Sequence, residues 1–148
     1  MALAERRANA VWEGNLTEGS GRVQVGSGAL EEFPVTWASR TESSNGKTSP
    51  EELMAAAEAA CFSMALSNDL AKQGNTPERV SVAAVCTLDR VEGKLKVTTM
   101  DLEVTGRVPG IDQEAFQAAA ENTARNCPIS GALVGNVDIR VRATLEAS

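Results

Sequence analysis

The residues best equipped for covalent chemistry in this sequence of 148 are three cysteines, Cys61, Cys86 and Cys127, in a chain with no histidine and no tyrosine. The missing imidazole rules out Ser-His-Asp and Cys-His nucleophiles, histidine-ligated zinc or iron, and a histidine proton shuttle near neutral pH. Any catalysis therefore runs on Cys, Asp, Glu, Lys or Arg. The three thiols have different surroundings. Cys127 precedes Pro128, and if Pro128 opens a short helix then Cys127 is its N-cap, where free backbone N–H groups and the helix dipole lower a thiol pKa and leave the sulfur accessible. Cys61 lies between Ala60 and Phe62 in an apolar run, and its local context favours a small core hydrophobe. Cys86 alternates with Val82, Ala84 and Leu88 and is assigned to packing.

Three charged residues accompany them. Arg40 follows an expected strand and precedes a polar loop, where an arginine is ordinarily a solvated charge. Glu51 and Glu52 both suit a helix N-terminus, and Glu52 completes a capping box with Ser49. Spacing alone links none of these to Cys61.

The elements that must position these groups follow from periodicity and punctuation. Ala8–Glu13, Arg22–Val25 and Phe33–Trp37 read as three strands in a meander, divided by Gly/Ser-rich turns. A loop over Thr41–Thr48 leads to Ser49 and Pro50, the cap and first position of a helix that runs through Leu70 and Lys72 to a stop at Gly74. Only Glu58 and Ser63 interrupt its apolar stretch, Leu53–Leu66, so the helix is expected to be buried on every side. A chain of this size has modest material for that, which makes a partner subunit the natural source of cover. The alanines at 55, 56, 57, 59 and 60 would admit a close neighbour. From Val80 the period becomes two, giving a hairpin that turns at Glu92-Gly93 and ends at Pro109-Gly110. A helix from about Asp112, with Phe116, Ala119, Ala120 and Thr123 inward, a helical turn after Pro128 and a last strand, Val137–Leu145, complete an α+β order with mostly antiparallel pairing.

Composition narrows the setting. The length suits a single domain over residues 1–148. A net charge of -6 and only five aromatics, two Trp and three Phe, argue against nucleic acid as a partner. Residues 1–10 contain no apolar stretch of signal-peptide length, and Leu53–Leu66 is shorter than the ~20 residues that span a bilayer, so no membrane association is expected and the location expected is cytoplasmic. In that reducing setting each cysteine is judged as packing, ligand or nucleophile rather than as a structural disulfide.

Two strings carry a family resemblance. Ser49-Pro50-Glu51-Glu52-Leu53, leading into Glu58-Ala59-Ala60-Cys61-Phe62-Ser63-Met64-Ala65-Leu66, and then Asn126-Cys127-Pro128-Ile129-Ser130, resemble the paired cysteine motifs of the OsmC/Ohr family of thiol peroxidases. Val11-Trp12-Glu13-Gly14 and Val108-Pro109-Gly110-Ile111 favour the OsmC branch. The resemblance implies an OsmC-like fold, with antiparallel sheets wrapped around a long buried central helix in an intertwined homodimer. It also implies reduction of organic hydroperoxides without metal or other cofactor, a peroxidatic Cys61 and a resolving Cys127. Arg40 matches the arginine that holds and acidifies the reactive thiol, and Glu51 the carboxylate that orients it. The reductant implied is an external dithiol, with a lipoylated protein as its form in this family. Glu58 departs from the pattern: the OsmC prototype has histidine there and Ohr sequences commonly an aromatic, and a carboxylate three residues before Cys61 raises a thiol pKa.

Physical argument constrains these roles. Cys61 is about eleven residues into its helix, beyond the reach of the N-terminal dipole, so its thiolate needs a cation brought from elsewhere, which Arg40 would supply. Glu51 precedes Cys61 by ten residues, ~15 Å along a straight helix, so a second subunit is expected to deliver Arg40 or Glu51 to each Cys61. Met54, Phe62, Met64, Ile129 and Leu133 are candidates to line a pocket for alkyl groups, and fit equally well as core. Two other classes stay open: a redox sensor or binding module using the same two cysteines without turnover, and a structural dimer disabled by Glu58.

Overall fold

The computed structural model describes residues 1–147, which form two compact units, Met1–Leu53 and the remainder from Met54. In the first, β1 (Ala8–Glu13), β2 (Ser20–Val25) and β3 (Phe33–Val35) make an antiparallel meander in that order. The expected third strand stops two residues early, because Thr36 caps a short helix, α1 (Trp37–Thr41). The Thr36 hydroxyl accepts from the Ser39 N–H at 3.0 Å and the Ser39 hydroxyl from the Thr36 N–H at 2.9 Å, a reciprocal pair that satisfies two otherwise free donors. Arg40 thus lies on a helix rather than at a strand end.

The loop after α1 is pinned at its far end. The Ser39 hydroxyl donates to the Thr48 carbonyl at 2.8 Å, and the Thr48 N–H to the Pro34 carbonyl at 3.0 Å. Helix α2 (Pro50–Lys72) starts with Pro50 in its first position, as expected. Ser49 caps it by accepting from the Glu52 N–H at 3.1 Å, but the Glu52 carboxylate accepts from the Thr48 hydroxyl at 2.9 Å, so only half of the expected capping box forms. At the other end the Asn75 N–H returns to the Leu70 carbonyl at 2.9 Å around Gly74, whose φ of +87° is the left-handed conformation a helix stop of this kind uses.

In the second unit β4 (Arg79–Val91) and β5 (Lys94–Arg107) form the expected hairpin, turning at Glu92 and Gly93, which have φ of +51° and +78°. Two helices follow, α3 (Gln113–Asn126) and α4 (Pro128–Leu133), before β6 (Asp138–Leu145). β6 pairs with β5 in parallel, whereas β1 with β2, β2 with β3 and β4 with β5 are antiparallel. The physical reason is the crossover: α3 and α4 bring the chain back to the starting end of β5, which a tight turn cannot do.

The core of this unit is a stripe of α2, Phe62, Leu66 and Leu70, against Met100, Leu102 and Val104 of β5 and Phe116, Ala119 and Ala120 of α3. The inner face of α3 is the one read from its sequence. Gly106 has a structural reason to lack a side chain, since a Cβ there would run into the Phe116 ring. In the single chain, one face of α2 stays uncovered. Ala56, Ala57, Ala60 and Met64 are exposed, Met64 at 73%, so the all-round burial expected from its composition is not met within one chain. No helix among the described residues is long and apolar enough to cross a membrane.

Candidate functional site

In the first unit α1 and the start of α2 bring Arg40 and Glu51 together. The Arg40 guanidinium donates from Nε to both Glu51 oxygens, at 3.1 and 3.2 Å, and from Nη2 to Oε1 at 2.8 Å. The Glu51 side chain is only 8% exposed against 31% for Arg40, so the carboxylate is sequestered while part of the cation still faces outward. A fork held in this way is an oriented charge with donors to spare. Beside it lies a cavity of about 290 Å³, lined by Trp12, Leu16, Val35, Trp37 and Leu53, with Arg40 at its margin. None of the five residues named above as candidate pocket lining contributes to it. Phe62 is core, Met54 and Leu133 pack against the core, and Met64 is exposed.

The second unit holds the sulfur pair. Cys127 ends α3 and N-caps α4, its own N–H bonded to the Thr123 carbonyl at 2.8 Å. Its sulfur lies 2.8 Å from that of Cys61, and both are free thiols. The N-cap position is the one expected; its accessibility is not, since Cys127 is 0% exposed. The cap faces inward onto α2, and Cys61 is the more open of the two. The start of α4 serves the other sulfur: the Ile129 backbone N–H is hydrogen-bonded to Cys61.

These surroundings set the protonation of Cys61. Burial pushes its thiol above the ordinary value, the thiol hydrogen bond shared with Cys127 pushes it further, and the Ile129 N–H pulls it back. The negative charges of a Cys127 thiolate and of Glu58 add smaller upward pushes. The expected influence of Glu58 thus has the expected sign and ranks last. In this arrangement Cys61 is a held thiol, and a nearby cation is what would make it a nucleophile.

Sequence reasoning missed a second link between α2 and α4. The Ser130 hydroxyl donates a short hydrogen bond to Glu58 Oε1, with both residues fully buried, while Glu58 Oε2 has no partner. The only available signal was the matching offset, three residues from Cys61 on one helix and three from Cys127 on the other chain segment. Cys86 lies against the core with Val82 and Ala84, as its alternation indicated. Among the described residues no group of three or more Cys, Asp or Glu gathers to hold a metal ion.

Comparison with known proteins identifies the family of the chain. Residues 43–142 match the family model described as OsmC-like protein. The chain is 37% identical over 134 residues to peroxiredoxin OsmC of Escherichia coli K12, covering 90% of this chain and 93% of that protein. It is 33% identical over 105 residues to organic hydroperoxide resistance protein-like 2 of Staphylococcus saprophyticus, covering 68% and 72%. Among solved structures, the organic hydroperoxide resistance protein OhrB of Bacillus subtilis superposes with a TM-score of 0.79 at 26% identity, covering 97% of this chain and all of that one. An OsmC protein from Legionella pneumophila gives 0.79 at 28% identity, covering 97% and 99%.

Proposed function

Since the chain belongs to the OsmC family and its relatives are named for handling peroxides, we propose that it is a cysteine-dependent peroxidase that reduces organic hydroperoxides to alcohols. The observation that carries the reading is the pair of free thiols 2.8 Å apart on segments distant in sequence. In the proposed cycle the Cys61 thiolate attacks one peroxide oxygen, the O–O bond breaks, the alcohol leaves and Cys61 becomes a sulfenic acid. Cys127 condenses with it to a disulfide and water, and an external dithiol, such as a lipoylated protein, restores both thiols.

Arg40 is the activating cation, oriented by Glu51, and it stabilises both the thiolate and the charge growing on the leaving oxygen. The proposed unit is a homodimer of single OsmC-like domains, 1–148, in which the partner covers the exposed alanines of α2 and brings the Arg40–Glu51 pair to Cys61. Glu51 and Cys61 lie ten residues apart on α2, ~15 Å along the helix, which supports this division of labour. The apolar cavity beside Arg40 supports an alkyl hydroperoxide over hydrogen peroxide as substrate. The reading needs no metal or cofactor and places the protein in the cytoplasm.

Intact mass after one equivalent of an alkyl hydroperoxide tests it. The wild type should lose two hydrogens, and Cys127→Ser should gain one oxygen. No change in either would overturn the proposal, and a single oxidation without turnover in the presence of a dithiol would make the protein a sensor instead.

A further inference from the structure

One step of the proposed cycle must move a proton out of a buried place. Disulfide formation requires Cys127 to give up its proton, and Cys127 is fully buried, so bulk water does not reach it. The hydroxyl leaving Cys61 must also gain a proton to depart as water. One buried acid–base group lies on the same two segments as the thiols. Glu58 is three residues before Cys61 on α2, a spacing at which helical side chains are neighbours, and its charge is felt at the Cys61 sulfur. Ser130, three residues after Cys127, holds one carboxyl oxygen through its hydroxyl. The other oxygen is buried and has no partner. A buried polar atom left unpaired is costly, so its retention needs a reason.

We infer that Glu58 is the proton shuttle of the resolving step, taking the proton of the Cys127 thiol on its unpartnered oxygen and returning it to the hydroxyl that leaves Cys61. The inference rests on the peroxidase reading above. In the step, the Cys127 S–H bond breaks and its proton moves to the carboxylate. The Cys127 sulfur forms the S–S bond with its electron pair, the Cys61 S–O bond breaks, and hydroxide departs as water with the proton from Glu58. Cys127 is oxidised as the sulfenic sulfur is reduced, and Glu58 ends as it began. Ser130 is the positioning residue, fixing one oxygen so that the other stays free.

The test separates the two chemical steps by rapid mixing of the reduced protein with one equivalent of an alkyl hydroperoxide, followed by quenching and intact mass. In the wild type the disulfide follows the sulfenic acid closely. Glu58→Gln keeps an acceptor for the Ser130 hydroxyl but cannot carry the proton. It should form the sulfenic acid at least as fast and the disulfide on the order of 10²-fold more slowly, so that the species one oxygen heavier accumulates. Glu58→Asp, which keeps the carboxylate, should recover part of the loss. A glutamine variant that closes the disulfide at the wild-type rate, or that slows both steps equally, overturns the inference while leaving the peroxidase reading intact. A wild type that is never oxidised overturns both. Should the glutamine variant not fold, the wild-type disulfide step should still show a normal solvent deuterium isotope effect, and its absence would count against the shuttle.

Discussion

Ser130 reaches the buried Glu58 carboxyl across the same two segments that bring Cys127 to Cys61, at the same three-residue offset on each. The two links are rungs of one connection between α2 and the start of α4. One rung is redox-active in the proposed cycle and the other is not, so the geometry of the thiols can survive when their own contact is being made and broken.

Removal of the second rung should therefore be costly. Ser130→Ala leaves both Glu58 oxygens buried without a partner and should destabilise the protein by about 1–3 kcal/mol. A shift in the urea unfolding midpoint at unchanged slope would show this. An unchanged midpoint would mean that water replaces the hydroxyl.

The protonation of Cys61 offers a second check, read from the ultraviolet absorbance of the thiolate against pH. Since burial and the shared thiol hydrogen bond outrank Glu58, Cys127→Ala should lower the Cys61 pKa more than Glu58→Gln does, and Arg40→Met should raise it if the cation acts there. The sign for stability follows from the raised value. The folded protein holds the Cys61 proton more tightly than the unfolded chain, so this contribution is complete below the unfolded thiol pKa and is lost as pH rises through the folded one. A reversed order of the two variants would place the main influence on the carboxylate.

Arg40→Lys keeps a charge at the site but not the fork that grips Glu51 at two oxygens. Its peroxide reactivity should fall with the fold preserved, whereas Arg40→Met should lose on the order of 10²-fold to 10³-fold in kcat/KM. The methionine variant also strands a carboxylate that is 8% exposed, and should unfold at lower denaturant. Full activity in both variants would remove Arg40 from the mechanism.

Trp37 tests the apolar cavity. Trp37→Ala should raise KM for a bulky alkyl hydroperoxide while leaving the reaction with hydrogen peroxide unchanged, because only the former has an alkyl group to bury. Equal effects on the two peroxides would show that the cavity does not receive substrate.

Much of this arrangement is legible in the sequence, and the gaps have physical causes. The inner face of α3 followed directly from helical spacing, and the cap at Ser49 from the residues around Pro50. The short helix that carries Arg40 did not, since Phe33–Trp37 alternates like a strand and the Thr36–Ser39 box that ends it spans a single turn. Phe62, which taken alone fits pocket lining and core equally well, belongs to the core. Taken with Leu66 and Leu70 it forms a stripe at four-residue spacing, the signature of a core-facing side. The parallel β6 was readable from the two helices before it, which give the length a crossover needs. The approach of Cys61 to Cys127 was carried by family resemblance alone, because no local periodicity encodes a contact 66 residues apart.

Oxidation should also register in stability. In the chain-entropy model, a bond closing a loop of about this length stabilises the folded state by ~4 kcal/mol. Unfolding of the oxidised and reduced forms in urea would measure it, and a less stable oxidised form would point to strain that outweighs the loop term.

Cys127 sits in the crossover between β5 and β6, well downstream of Cys61. During synthesis, at ~5–20 residues per second, Cys61 precedes its resolving partner by about 3–13 s. A sulfenic acid formed in that interval has no neighbouring thiol to close upon and is open to irreversible over-oxidation. On the proposed cycle, a nascent chain is thus most vulnerable to the peroxides that the finished protein would remove.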